Sequence, residues 1–325
     1  MAGACRWFGQ KDGLAVAQKQ ALGVAAVIFA AMLWGTTGTT AALLPPTREP
    51  LVVGALRLAF GALALVVLAQ AQPRMRAGLG ALPWGGITFA GTCIAGYNLL
   101  FFLAVSLAGV GVGTAITIGS APIWATAFEA LRTGRLPKRW LALGQLCAIS
   151  GVCLLAWAGG SADAGTGADT GGGPSVWAGV ALSAAAGACY AAYSLATSRI
   201  SHSAPSTTLA AATFCVAALI CAPVLLVLPL GWLVGVQAWA GVVFLGLGAT
   251  GLAYALYTWG LTRISASGAV TLALAEPVTA WVLAVAVVGE ALSAPKAAGA
   301  LLIFLGLALV SASALRPNSA GAARA

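Results

Sequence analysis

The chain has 325 residues, 61% of them apolar and only 7% charged, with a mean hydropathy of +0.98. Soluble domains carry roughly 25% charged residues, so a water-facing surface is excluded and lipid must be the outer solvent. The formal charge of +9, from 16 Lys and Arg against seven acids, is concentrated in short loops, which points to membrane orientation rather than to a nucleic-acid partner.

In chain order, residues 1–20 carry Arg6, Lys11 and Lys19 and read as a cytoplasmic segment. The apolar run that follows is too long for a secretory signal and is expected to stay as a first helix. Ten such runs occur, at roughly 21–44, 51–71, 84–107, 110–131, 140–158, 176–198, 207–228, 238–262, 264–289 and 296–315. Most approach the roughly 20 residues that a helix needs to cross hydrocarbon. They are continuous rather than alternating, which excludes a β-barrel. The expected fold class is therefore an all-α membrane protein of ten transmembrane helices.

With the N-terminus inside, 13 of the 16 Lys and Arg fall in cytoplasmic segments and two in outside loops, Arg57 being intramembrane. That bias predicts cytoplasmic N- and C-termini in a plasma (inner) membrane, with Arg132, Arg135, Lys138 and Arg139 as the main anchor. The stretch 159–174 holds seven glycines and no large apolar residue and reads as a linker. Residues 316–325 form a cytoplasmic tail.

The segments on either side of the linker repeat. Pro122, Ala125, Gly134, Ala142, Gly144, Leu146, Gly151 and Leu154 recur 155 positions later as Pro277, Ala280, Gly289, Ala297, Gly299, Leu301, Gly306 and Leu309. Gly23 and Trp34 match Gly179 and Tyr190 at an offset of 156. The halves, 21–158 and 175–315, each hold five spans. An odd number inverts the second copy, which is the architecture of many secondary transporters, with the substrate site at the repeat interface.

Trp34 and Gly35, the LRLAFGALAL segment around Arg57, the Pro-centred fourth and ninth helices, and the segment from 272 to 310 that begins LALAEPVTAW resemble the EamA family of the drug/metabolite transporter superfamily. The resemblance covers roughly 21–315 and is strongest in the last 60 residues. It implies ten helices in two EamA-like repeats and export of amino acids or related metabolites. The family often places an acid where each Pro-containing helix ends, as Glu290 does here, whereas the first half has Arg135 at the equivalent position.

Several intramembrane residues could carry chemistry. Glu276, just before Pro277, has two readings: a substrate-amine or proton-coupling carboxylate, or a polar group that satisfies the carbonyl released by Pro277. Arg57 either recognises a carboxylate with its fork of donors or snorkels to the headgroups. Trp34 opens a WGTTGTT stretch that either bends the helix or packs it closely. Tyr97, Asn98, Tyr254 and Tyr257 could line a path together with Tyr190 and Tyr193; the alternative is an aromatic girdle, for which Tyr254 and Tyr257 lie too deep. Pro122 and Pro277 are expected to kink their helices, either as gates or as kinks that packing tolerates. Glu129 and Arg132 are spaced for an i,i+3 ion pair.

No nucleotide-binding or metalloprotease motif occurs, and the seven cysteines and the lone His202 form no metal cluster. No cofactor, metal or enzymatic activity is expected. The expected function is secondary transport of a small molecule in a lipid bilayer, by a monomer or homodimer. A lipid or sugar-conjugate carrier, a membrane-embedded lipid enzyme and a structural scaffold are the rival readings.

Overall fold

A computed structural model describes residues 2–71, 79–163, 174–289 and 292–315. Among them there is no strand. The helices are α1 (Ala2–Ala42), α2 (Pro50–Gln70), α3 (Trp84–Ala108), α4 (Val110–Thr133), α5 (Arg139–Asp163), α6 (Pro174–Ile200), α7 (Ser206–Val227), α8 (Val236–Gly246), α9 (Ala253–Leu261), α10 (Ala266–Leu272), α11 (Ala275–Leu283) and α12 (Ala294–Leu315). A π-helical turn, Leu247–Leu252, joins α8 to α9, and a second, Ala284–Val288, ends α11. Glu290, most of the 159–174 linker and the 316–325 tail lie outside the described residues.

Joined pairwise, α8 with α9 and α10 with α11 make one span each, giving ten helices in two groups of five. Nine of them, searched among the described residues, are long and apolar enough to cross a membrane. The tenth is α4, 24 residues long, whose Thr114, Thr117, Ser120, Thr126 and Glu129 dilute its apolar content. It packs on α6 and α5.

The halves do not fold as separate bundles. Contacts are most extensive across the repeat boundary: α3 on α6, α5 on α12, α2 on α7 and α4 on α6. On the other side of the molecule α1 packs in the same manner on α9 and α11. A pseudo-two-fold axis accounts for the pattern, because α1 corresponds to α6, α3 to α8 plus α9, and α4 to α10 plus α11.

Small residues set these crossings. A Cβ added to Gly151 would lie 2.5 Å from the Gly299 carbonyl, and one added to Gly299 would lie 2.9 Å from the Gly151 carbonyl. Gly144 and Gly306 meet in the same way. The order 144 to 306 and 151 to 299 makes α5 and α12 antiparallel, as an inverted repeat requires. In lipid, helix association has no hydrophobic drive and depends on such close backbone approach. Gly134 and Gly289, equivalent in the repeat, both end their helices at positive φ, 64° and 81°, where other residues are strained.

The structure also brings out a match that the Pro and Gly pairs alone had not revealed. Trp84, Gly86, Phe89, Gly91 and Gly96 in α3 recur at an offset of 155 as Trp239, Gly241, Phe244, Gly246 and Gly251. Their contacts recur as well: Gly86 faces Ile200 while Gly241 faces Leu44, and Gly91 faces Val216 while Gly246 faces Phe60.

Two expectations require correction. The runs 238–262 and 264–289 are not continuous α-helices, since the first is widened by the π turn and the second breaks at Ala273 and Leu274. The two prolines therefore differ: α4 continues through Pro122, whereas Pro277 sits in the first turn of α11, where a missing N–H costs little. Finally, α1 starts at Ala2, well before the apolar span Val16–Ala41.

Candidate functional site

The π turn builds one side of the site. Thr250, within it, donates its hydroxyl to the Leu245 carbonyl five residues back at 2.9 Å and accepts from Arg57 Nε at 3.2 Å. The widened turn thus points a hydroxyl of the second half at a guanidinium of the first. Gly61, one turn after Arg57, lies directly against Thr250 and lets α2 approach that closely. Arg57 consequently turns into the protein, opposite to what a snorkelling anchor requires. Single π turns recur at functional sites.

The helix break builds the other side. Pro277 cannot donate to the Ala273 carbonyl, but the Glu276 backbone N–H does so at 3.0 Å. The Glu276 side chain is left free of that structural task. Gly35 brings α1 against this turn: a Cβ there would lie 2.5 Å from Thr279 Cβ and 2.8 Å from the Glu276 carbonyl. Close packing, not bending, is therefore the role of Gly35, and α1 stays helical through Ala42. Thr36 and Thr40 bond to carbonyls of their own helix.

Arg57 and Glu276 thus stand on the two sides of the site, one from each half. Among the described residues no ion pair joins Arg57 to Glu276. Around them stands an aromatic block. The Trp34 ring is 4.9 Å from Tyr254, 5.3 Å from Tyr257 and 6.1 Å from Tyr190. Tyr97 stands 5.5 Å from Tyr190, and Phe214 stands 4.4 Å from Tyr254.

Trp34 Nε1, Asn98 Nδ2 and the Tyr190 hydroxyl are among the polar atoms here that are buried with no hydrogen-bond partner in the protein. Such orphans call for a ligand or solvent partner. Asn98 also packs against Gly54, one turn before Arg57. Tyr257 is placed differently, since it is fully buried and its hydroxyl bonds to Ser194 at 2.8 Å. It supports the block from behind.

A polar cavity of about 1210 Å³ opens at the helix ends that the charge count assigns to the cytoplasm. Thr126, Glu129, Arg135, His202, Arg263 and Ser267 are among its lining residues. Arg263 lies over the Trp259 ring, 3.4 Å from its centroid, and donates to the Trp259 carbonyl. Partial burial lowers its pKa from the ordinary value, yet an arginine stays charged. Glu129 faces this cavity while Arg132 lines another. No ion pair joins those two among the described residues, so the i,i+3 expectation is not met.

Two contributors escaped the sequence reading. Thr250 lies in a run whose hydropathy reads as regular helix, although the glycines at 246, 248 and 251 around it are a visible signal. Gln145, in an apolar span, donates through Nε2 to Thr126 Oγ1 at 2.6 Å and to Thr271 Oγ1 at 3.1 Å. It ties α5 to α4 and α10 beside the cavity. A lone amide in an apolar helix was its signal. Among the described residues no group of His, Cys, Asp or Glu is placed to hold a metal ion.

The model of the EamA-like transporter family matches residues 21–157 and 177–312. The "Uncharacterized transporter YwfM" of Bacillus subtilis (strain 168) is 36% identical over 297 residues, covering 91% of this chain and 96% of that protein. A solved structure described as "Crystal structure of protein" superposes with a TM-score of 0.76 at 24% identity, over 91% of this chain and 99% of the other, a likeness of fold. The two matched segments, the pseudo-symmetric contacts and the relative agree: this chain is a multi-pass membrane protein of the EamA-like transporter family.

Proposed function

We propose that the chain exports amino acids or closely related zwitterions by alternating access, with Arg57 binding the carboxylate and Glu276 the ammonium group. The observation that carries this reading is a pair of opposite charges, one from each half: Arg57 bonds to Thr250, Glu276 lies in the turn that Gly35 packs against, and the Trp34 and Tyr254 rings meet between them at 4.9 Å. An unpaired charge inside a membrane is costly and functional by default. Two opposite unpaired charges suit a ligand that carries both. A planar guanidinium binds carboxylate bidentately. Trp34 Nε1 and Asn98 Nδ2 supply further donors.

Export follows from the resemblance and from the large polar cavity on the side taken as cytoplasmic, which would receive substrate from the cell interior. The same reading places both termini inside. Labelling of Pro137→Cys on a cysteine-free background should then occur from the cytoplasm alone.

The direct test is counterflow in proteoliposomes with a panel of amino acids, amines and carboxylates, with and without a pH gradient. Zwitterions should exchange, and simple amines and carboxylates should compete weakly. In Arg57→Lys, which keeps the charge but loses the fork, affinity should fall about tenfold, the loss of one charged hydrogen bond. Unchanged affinity in that variant, or equal transport of lone amines, removes the zwitterion reading.

A further inference from the structure

A second cavity, of about 430 Å³, lies apart from the polar one, between α3, α4 and α6. Phe89, Phe128, Leu131 and Leu195 are its main apolar walls, and Arg132 and Arg199 complete it. Phe89 is in the second turn of α3, and both arginines are in the last turns of α4 and α6. All three ends fall on the side that the charge count assigns to the cytoplasm. Phe89 and Leu131 are 55% and 84% exposed, so the crevice opens outward, to lipid.

No carboxylate lines this crevice. The nearest acid along α4, Glu129, faces the other cavity. An apolar bed for hydrocarbon, closed at the interface by two guanidiniums, has the chemistry of a phosphodiester carrying acyl chains. Guanidinium pairs bidentately with phosphate, and basic pockets between helices on the cytoplasmic side attract anionic headgroups.

The repeat supplies an internal comparison. The positions equivalent to Phe89, Phe128, Arg132 and Arg199 are Phe244, Leu283, Val287 and Leu43. Phe89 and Phe128 keep large apolar counterparts, Leu131 and Leu195 become Ala286 and Thr39, and both cations are absent from the second copy. A general excess of basic loops explains positive charge on one side of the membrane. It does not require two arginines on one crevice, because Arg135 and Lys138 in the α4–α5 loop and Arg139 at the start of α5 already supply that charge.

We propose that the crevice between α3, α4 and α6 binds one anionic phospholipid, with Arg132 and Arg199 holding its phosphate and the aromatic bed holding an acyl chain. The test uses the purified full chain and native mass spectrometry, with phosphatidylglycerol and phosphatidylcholine of identical acyl chains. Phosphatidylglycerol should be retained preferentially. In Arg132→Gln/Arg199→Gln that retention should drop roughly 30-fold, about fivefold for each arginine near the surface. Arg132→Lys/Arg199→Lys should recover part of it, and Arg135→Gln/Arg139→Gln, with the same charge removed nearby, should lose less than about threefold. The glutamine variant should melt as the wild type does in phosphatidylcholine, because both arginines are exposed. Equal retention of the two lipids, equal loss in both glutamine variants, or equal binding of free glycerol 3-phosphate would each overturn the proposal.

Discussion

The two halves share a scaffold and differ at their centres. Gly144, Gly151 and Gly134 have counterparts in Gly299, Gly306 and Gly289 that make the same contacts or turns. At mid-membrane the equivalence ends. Glu276 corresponds to Ala121, Arg57 to Thr213, and the continuous α3 to a helix interrupted by a π turn. Repeats that close the bundle must match, because Gly144 meets Gly306 and Gly151 meets Gly299, so each crossing takes one glycine from each copy. A substrate with unlike ends needs unlike groups on the two sides, and it is there that the copies diverge.

The comparison is tested most strongly at Glu276. Glu276→Gln keeps a hydrogen-bonding head and removes the charge, so substrate affinity in counterflow should weaken by about 1.5–3 kcal/mol, with normal insertion and purification. Ala121→Ser, at the equivalent place, should leave affinity within about twofold, since it touches no charge. Wild-type transport and pH dependence in Glu276→Gln would remove the carboxylate from the site.

Next in size is the seam. Gly144→Ala and Gly299→Ala should each destabilise by about 1–3 kcal/mol in thermal or denaturant unfolding, because each Cβ meets the opposing backbone. The two losses should agree within error if the axis relates them. A neutral outcome at either would mean that α5 and α12 do not cross at these glycines.

Thr250→Val then asks whether the π turn serves Arg57. Loss of this hydroxyl should weaken substrate binding by about 0.5–1.5 kcal/mol, one hydrogen bond's worth, with a smaller change in melting temperature. A stability loss with unaltered affinity would reduce Thr250 to a helix-packing residue. The smallest effect belongs to Gly38→Ala, where nothing lies within 4 Å of the added Cβ. It should be neutral or stabilising by up to about 1 kcal/mol, in contrast to Gly35→Ala one turn earlier on the same helix.

Composition alone determined that this is a membrane protein, since so few charges cannot cover a water-facing surface. The runs of about 20 apolar residues, and the Pro and Gly pairs offset by 155, determined the ten helices and their inverted halves. Arg57 and Glu276 were legible individually because a charge in an apolar run is conspicuous at any register. What they face was not legible, since hydropathy reports how far a segment avoids water and carries no information about which neighbour covers it. Only the tertiary structure decided that Arg57 turns inward to Thr250, that the Glu276 backbone and not its side chain satisfies the carbonyl freed by Pro277, and that Tyr257 is spent on Ser194. The π turn and the Ala273–Leu274 break belong to the same class: both are local departures from regular helix, stabilised by contacts with residues more than a hundred positions away in the chain.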